Sequence, residues 1–264
     1  VARATAPSFA RERARVPLTC IVLAQNSADV IDRCVRSLAF ADDVLVVDGG
    51  SQDGTPGLAR SLGARVLVNA WPGFAEQRRF ALRHARHDWA FSCDSDEEVT
   101  PALASEIAAV VRGAAGEAAG YRVPRRSQFL GAWMDVGPWS RDAPLRLFRA
   151  RAARVTEASV HEGFVVDGTV GELKSPLLHY THTTLSDSLV RLNRYTTLEA
   201  RDRASRRRIH ALDPLLSPAG VFLKYYVVRG CWRAGTRGYL LAAVTSVYKM
   251  VLYLKIRELQ GRKP

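Results

Sequence analysis

Three observations predict an α/β fold for this chain. Apolar runs of strand length alternate with segments of helical periodicity over residues 18–112, two of those runs end on an aspartate, and short extended pieces follow from residue 120. The alternation is the pattern of a mostly parallel central sheet flanked by helices. Residues 18–23 (Leu-Thr-Cys-Ile-Val-Leu) form the first strand. Val30, Ile31, Cys34, Val35 and Leu38 recur at helical spacing, and the β-branched run 44–47 makes a second strand that stops at Asp48. Gly49-Gly50-Ser51-Gln52-Asp53-Gly54 then turns the chain, with glycines that let backbone N–H groups approach an anion or a ribose. Asp53 or Thr55 caps the next helix, which runs to about Leu62 and is stopped by Gly63.

Residues 65–68 supply a third strand, 74–84 a helix and 89–93 a fourth strand, and Thr100-Pro101 opens a helix to about Arg112. In open sheets of this kind ligands bind beyond the carboxyl ends of the strands, so Asp48 and Asp94 are expected to line one crevice. The pieces 121–123, 145–148, 161–166 and 177–180 predict mixed or antiparallel strands that complete the sheet and build the far wall of the cleft. From residue 184 the pattern is helical: 186–207 is polar and basic, while 221–226 and 239–254 are apolar and edged by Lys224, Arg229, Arg233, Arg237, Lys249 and Lys255. The division expected is a flexible basic N-terminus (1–16), a catalytic domain (17–183) and a basic, amphipathic helical extension (184–264).

The chain has 264 residues, enough for one large α/β domain, and its 47% hydrophobic content supports a full core. A formal charge of +12 calls for an anionic partner such as anionic lipid or a phosphorylated substrate, with a solvated basic helix face that has no partner as the alternative. No helix-turn-helix, zinc or base-stacking signature is present, so nucleic acid is not the partner expected. Lys249 interrupts the longest apolar run, so no membrane span is expected; helices lying on an anionic membrane surface are, with core packing or a homo-oligomer face as the alternatives. Cys20, Cys34, Cys93 and Cys231 include no Cys-x-x-Cys pair and sit mostly in apolar runs, as reduced thiols of a cytoplasmic protein do. Residues 1–15 are Arg-rich without an apolar centre and do not read as a secretory signal.

Asp94-Ser95-Asp96 places two carboxylates on one side of an extended segment at the end of a buried strand. Hard divalent cations take oxygen ligands of this kind. Alone the tripeptide is weak, because Asp-x-Asp is commonly a solvated turn; a strand ending in it also fits a haloacid-dehalogenase-type phosphatase, although there the motif follows the first strand.

Taken together, residues 22–26 (Val-Leu-Ala-Gln-Asn), 46–55 (Val-Val-Asp-Gly-Gly-Ser-Gln-Asp-Gly-Thr), Gln77-Arg78-Arg79 and Asp94-Ser95-Asp96-Glu97 resemble the nucleotide-diphospho-sugar transferases of glycosyltransferase family 2. Trp71-Pro72-Gly73-Phe74, residues 125–131, Arg146-Leu147-Phe148, Val160-His161-Glu162 and Leu177-Leu178-His179 extend the resemblance to the lipopolysaccharide core β-1,4-glucosyltransferase branch. The resemblance implies a GT-A fold and inverting transfer of a hexose, glucose in that branch, from a UDP-sugar. The acceptor implied is lipopolysaccharide core or another lipid-linked molecule, at the cytoplasmic face of the inner membrane; a polyprenyl-phosphate or other envelope-glycan transferase is the alternative. A noncatalytic basic protein that binds nucleic acid or lipid on a degenerate transferase scaffold is the alternative of a different class.

By that resemblance Asp48 contacts uracil, whose N3–H suits a carboxylate acceptor, with a turn cap as its other reading. Asn26, Gly50, Arg78, Asp94 and Ser95 join it around the nucleotide. Asp94 and Asp96 hold Mg²⁺ or Mn²⁺, with His179 completing the coordination or serving structurally, and His182 a weaker choice. Inversion requires a general base beside the attacking hydroxyl. Glu162 is the residue chosen and Asp142 its rival. Gln25, Ser27 and Gly49 depart from the family pattern, which has a basic residue, an acidic residue and, in the branch, a serine at these places.

Overall fold

The computed structural model describes residues 15–113, 118–156, 163–181, 184–205, 209–210 and 212–261. The first half follows the alternation expected. Strands β1 (Val16–Ala24), β2 (Ala41–Asp48), β3 (Arg65–Val68) and β4 (Trp89–Asp94) are joined through α1 (Ile31–Ser37), α2 (Thr55–Ser61) and α3 (Phe74–Arg83). β1 pairs in parallel with both β2 and β4, and β3 continues the sheet beyond β2. The central strands are apolar on both faces because both are covered. Helices α1 and α4 (Pro101–Val111) bury Ile31, Cys34, Leu103 and Ile107 against one face, and Ala81 of α3 with Phe148 and Phe164 covers the other.

Two helix starts differ in their capping. Thr100 caps α4 as expected, its hydroxyl accepting the Leu103 N–H at 3.2 Å. α2 is instead preceded by Gly54 in the left-handed region, and Asp53 accepts the N–H groups of Thr55 and Ala28. Asp53 thereby ties the loop after β1 to the start of α2.

The second half adds β5 (Glu97–Val99), β6 (Gly120–Arg122), β7 (Arg125–Phe129), β8 (Ala132–Met134), β9 (Leu145–Arg149), β10 (Ala153–Val155), β11 (Phe164–Val166), β12 (Val170–Glu172) and β13 (Leu177–His179). The main sheet has seven strands in the order β12-β6-β9-β4-β1-β2-β3, with β9 antiparallel to both of its neighbours. A second sheet runs β5-β13-β7-β8, and β10 pairs with β11. The chain crosses from one sheet to the other at the acidic motif, because β4 ends on Asp94 and β5 begins on Glu97.

Of the C-terminal helices α5 (Leu185–Arg203), α6 (Asp213–Leu223) and α7 (Gly235–Gly261), α7 packs on the second sheet and the other two pack on α7. Phe129 and Met134 from that sheet share a core with Cys231, Leu241 and Ala242, while Ala200 of α5 meets Leu252, Tyr253 and Ile256 of α7. Lys255 anchors the helix pair, donating to Asn193, Thr196 and Thr197. The helical stretch Cys231–Gly261 is long and apolar enough to cross a membrane by length and composition alone, Lys249 notwithstanding, a test that the core helix of a soluble protein also passes. Its packing on α5 and α6 shows that such a helix also serves as a packing element.

Candidate active site

The strand register puts the two strand-end aspartates together. Ala24 of β1 is level with Asp48 on one side, and Leu23 is level with Asp94 on the other. With adjacent strands about 4.8 Å apart, the two backbones stand roughly 10 Å from each other at the carboxyl edge. Both strands therefore end at the same edge of the sheet.

On the β2 side the residues expected at the nucleotide organise the backbone. Asp48 is buried; its Oδ2 accepts the N–H groups of Gly50 (3.0 Å) and Ser51 (2.9 Å), and its Oδ1 accepts the Ser51 hydroxyl. It therefore does the work of a turn cap. Asn26, with φ of 49°, accepts the Gln52 N–H on its side-chain oxygen and donates its own N–H to Ser51 Oγ. The three departures from the family pattern have local reasons. Gln25 donates to the Gly49 carbonyl, Ser27 Oγ accepts from Ser95 Oγ at 3.1 Å, and a Cβ on Gly49 would stand 2.7 Å from the Trp71 ring.

On the β4 side a chain of alternating charges runs through the floor of the cleft. Arg146 of β9 is buried, and its Nη2 donates to Asp94 Oδ2 (2.7 Å) and to Glu97 Oε1 (2.5 Å). Glu97 takes the Asp94 N–H on its other oxygen and a second guanidinium, Arg125, at 3.2 Å. Arg125 in turn binds Asp142 Oδ2 through Nε (2.7 Å) and Nη2 (2.5 Å). Burial opposes ionisation of Asp94, but Arg146, Arg78 and Arg125 outweigh it and hold this carboxyl well below the usual range. Burial pushes Glu97 up, and the neighbouring Asp94 charge adds to that, against the pull of Arg146 and Arg125. Two carboxylates share one guanidinium nitrogen.

Asp96 points elsewhere. Its Oδ2 lies 3.5 Å from His179 Nε2 and 3.7 Å from Arg191. His179 Nδ1 is 3.0 Å from Ser127 Oγ, a contact that orients the ring with Nε2 on the Asp96 side. Among the described residues no three of His, Cys, Asp and Glu gather into a metal-binding group. The expected trio is thus brought together as a pair, Asp96 with His179, while Asp94 is engaged by Arg146. A pair of this kind suits Mg²⁺ or Mn²⁺, which take one or two protein ligands and complete their shell with water and substrate phosphate oxygens.

Arg78 lies on α3, its guanidinium over the Phe74 ring and its charge acting on Asp94. Glu162, His161 and His182 fall outside the described residues. The buried partners Arg146, Glu97, Arg125 and Ser127 entered the sequence reading only inside matched motifs. A signal for one of them was present: Arg146 sits in the apolar strand Leu-Arg-Leu-Phe, and a charge inside such a strand requires an acidic partner.

Residues 19–161, more than half of the chain, match glycosyl transferase family 2. The chain belongs to that family. It has the family's GT-A fold and is a glycosyltransferase, which sets aside the phosphatase and the noncatalytic scaffold. It is similar to the lipopolysaccharide core biosynthesis glycosyltransferase LpsC of Rhizobium meliloti (strain 1021), at 30% identity over 94% of this chain and 95% of that one. An uncharacterized glycosyltransferase of Rickettsia prowazekii (strain Madrid E) is 24% identical over 92% of this chain and 87% of that one. A solved structure of S. aureus TarS residues 1–349 in complex with UDP-GlcNAc aligns over 92% of each chain, with a TM-score of 0.47 and 12% identity.

Proposed function

We propose that this family 2 glycosyltransferase moves a hexose with inversion from a UDP-sugar to a hydroxyl of a lipopolysaccharide-core or other lipid-linked acceptor, glucose being the first donor sugar to test. The observation that carries the reading is the division of the acidic motif between two neighbourhoods. Asp94, fixed by Arg146 at the cleft edge, is ionised and accepts hydrogen bonds from donor hydroxyls beside Ser95. Asp96 and His179 hold the divalent cation, with Ser127 orienting the imidazole. When bound, Mg²⁺ or Mn²⁺ supplies a positive charge against the departing diphosphate. Arg78, whose charge already acts on Asp94, adds to that field from α3.

Glu162 takes the proton of the acceptor hydroxyl, and the oxygen attacks the anomeric carbon from the face opposite UDP. Asp142, the rival base, has one oxygen held twice by Arg125, which favours a positioning role for it. The enzyme works peripherally at the cytoplasmic face of the inner membrane. Exposed Leu215, Leu216, Val228 and Trp232 among Lys224, Arg229, Arg233 and Arg237 support contact with an anionic leaflet.

The test is a donor screen that measures UDP release with Mn²⁺ and then with chelator. Turnover of a UDP-sugar that chelation abolishes supports the reading, and turnover indifferent to chelation refutes the metal assignment. Glu162→Gln should lower transfer by a factor of at least about 100 while leaving UDP binding intact. Retained transfer moves the base to another residue.

A further inference from the structure

A cavity of about 240 Å³ lies away from the acidic motif, between the turn that follows β8 and the turn that joins α6 to α7. With about 30 Å³ per water as the measure, it has room for a phosphate group with part of its hydration. Arg141 stands on one wall and Arg229 and Arg233 on the other. Among the described residues none of the three has a carboxylate partner; Arg233 lies over the Trp232 ring. The acid in the lining, Asp135, is already held through both oxygens by Arg126 at 2.7 Å.

The two walls are fastened to each other. Gly137 donates its N–H to the Arg229 carbonyl, and a Cβ on Gly137 would stand 2.7 Å from Cys231 Sγ, so the turns touch where only glycine fits. The cavity is therefore a fixed feature of the joint between second sheet and helices. At its rim Val228 is 79% exposed and Trp232 is 54% exposed, on the same turn as the arginines. Arg141 also precedes Asp142, the last group of the charge chain that begins at Asp94.

We propose that this cavity binds a phosphate monoester of an amphiphilic, membrane-borne acceptor. Three guanidiniums in one lining without a carboxylate partner suit the double charge of a phosphomonoester, to which arginine can donate in pairs. Val228 and Trp232 beside them meet the apolar part of the same molecule, as aromatic and aliphatic residues do at a bilayer interface. A soluble sugar phosphate would satisfy the arginines and leave the rim exposed, so the occupant is a lipid. The inference rests on the acceptor class proposed above and gives that acceptor an anchoring point next to Asp142.

The experiment measures binding of the full chain to phosphatidylcholine vesicles containing either phosphatidic acid, a monoester, or phosphatidylglycerol, a diester, at matched surface charge. The wild-type chain should prefer phosphatidic acid, and Arg229→Gln/Arg233→Gln should lose roughly 30-fold on it, the effect of two surface charges near an anionic leaflet. Val228→Ser/Trp232→Ser should weaken binding to both vesicle types, and the distant pair Arg60→Gln/Arg151→Gln should leave the monoester preference intact. Equal binding to the two lipids, or an undiminished preference in Arg229→Gln/Arg233→Gln, overturns the proposal. Inorganic phosphate binding without vesicle binding overturns the lipid as its source. UDP binding is titrated in parallel and circular dichroism checks each variant's fold. A lost monoester preference with intact UDP binding removes this subsite alone, whereas absent UDP binding with the preference intact removes the donor reading alone.

Discussion

Replacing Arg146 with methionine keeps the length of the side chain and removes the charge that Asp94 and Glu97 share. Glu97 is fully buried and Asp94 about one-third exposed, so the variant leaves one carboxylate without water and a second only partly hydrated. Removing one partner of a buried pair costs about 3–5 kcal/mol. Arg125 stays on Glu97 and solvent screens Asp94, so the lower end, about 3 kcal/mol, applies here. For a chain of this size that is a fall in Tm of about 6–12 °C.

The pH dependence gives the sharper reading. In the variant the folded-state pKa of Glu97, already raised, rises further. A carboxyl raised above its unfolded value contributes stability that is present below the unfolded pKa, about 4.3, and is lost as pH rises through the folded one. The deficit of Arg146→Met should therefore be largest at neutral pH and shrink toward pH 5. Asp94 has the opposite sign in the wild type: its depressed pKa stabilises the fold above about pH 4 and that contribution is lost as pH falls further. Thermal unfolding of both chains between pH 4.5 and 8 measures this. A deficit under about 1 kcal/mol, or one constant across that range, refutes the shared-guanidinium account.

Gly49→Ser drives a Cβ into the Trp71 ring and should cost about 1–3 kcal/mol, seen as a lower Tm; an unchanged Tm would show that the ring moves aside freely. Ser127→Ala frees the His179 imidazole and should weaken Mn²⁺ affinity about 10–100-fold, read from the Mn²⁺ dependence of UDP release, with an unaltered dependence counting against His179 as a ligand. All four cysteines are free and buried, and burial raises the pKa of Cys20, Cys93 and Cys231. A maleimide should label none of them rapidly in the native enzyme and all four after unfolding; fast native labelling would contradict the packing around the acidic strand.

The strands that carry the nucleotide edge were legible because they are central and parallel. β1, β2 and β4 are largely buried on both faces and read as predominantly apolar runs over 18–23, 44–47 and 89–93. β5 was not legible: Glu97-Glu98-Val99 is acidic, and it becomes a strand because Glu97 turns inward to two guanidiniums while Tyr180 donates to Glu98. β7 is short and polar and β8 only three residues long, and the pairing of β7 with β13 is a long-range one that local periodicity does not record. The aspartates could be placed at strand ends from spacing, but their division between Arg146 and His179 joins residues 52 and 83 positions apart in the chain. The apolar centre of α7, residues 239–254, was visible, whereas its extension to Gly235 and Gly261 runs through polar and charged positions that carry no such signal.

The step from β4 to β5 carries a mechanical consequence. Asp94 belongs to the main sheet and Glu97 to the second, so the residues between them span a seam, and Arg146 reaches across that seam like a rivet from β9 to β5. The second sheet also bears the C-terminal helices. The acidic motif therefore lies at the joint between the main sheet and the part of the molecule that carries the C-terminal helices.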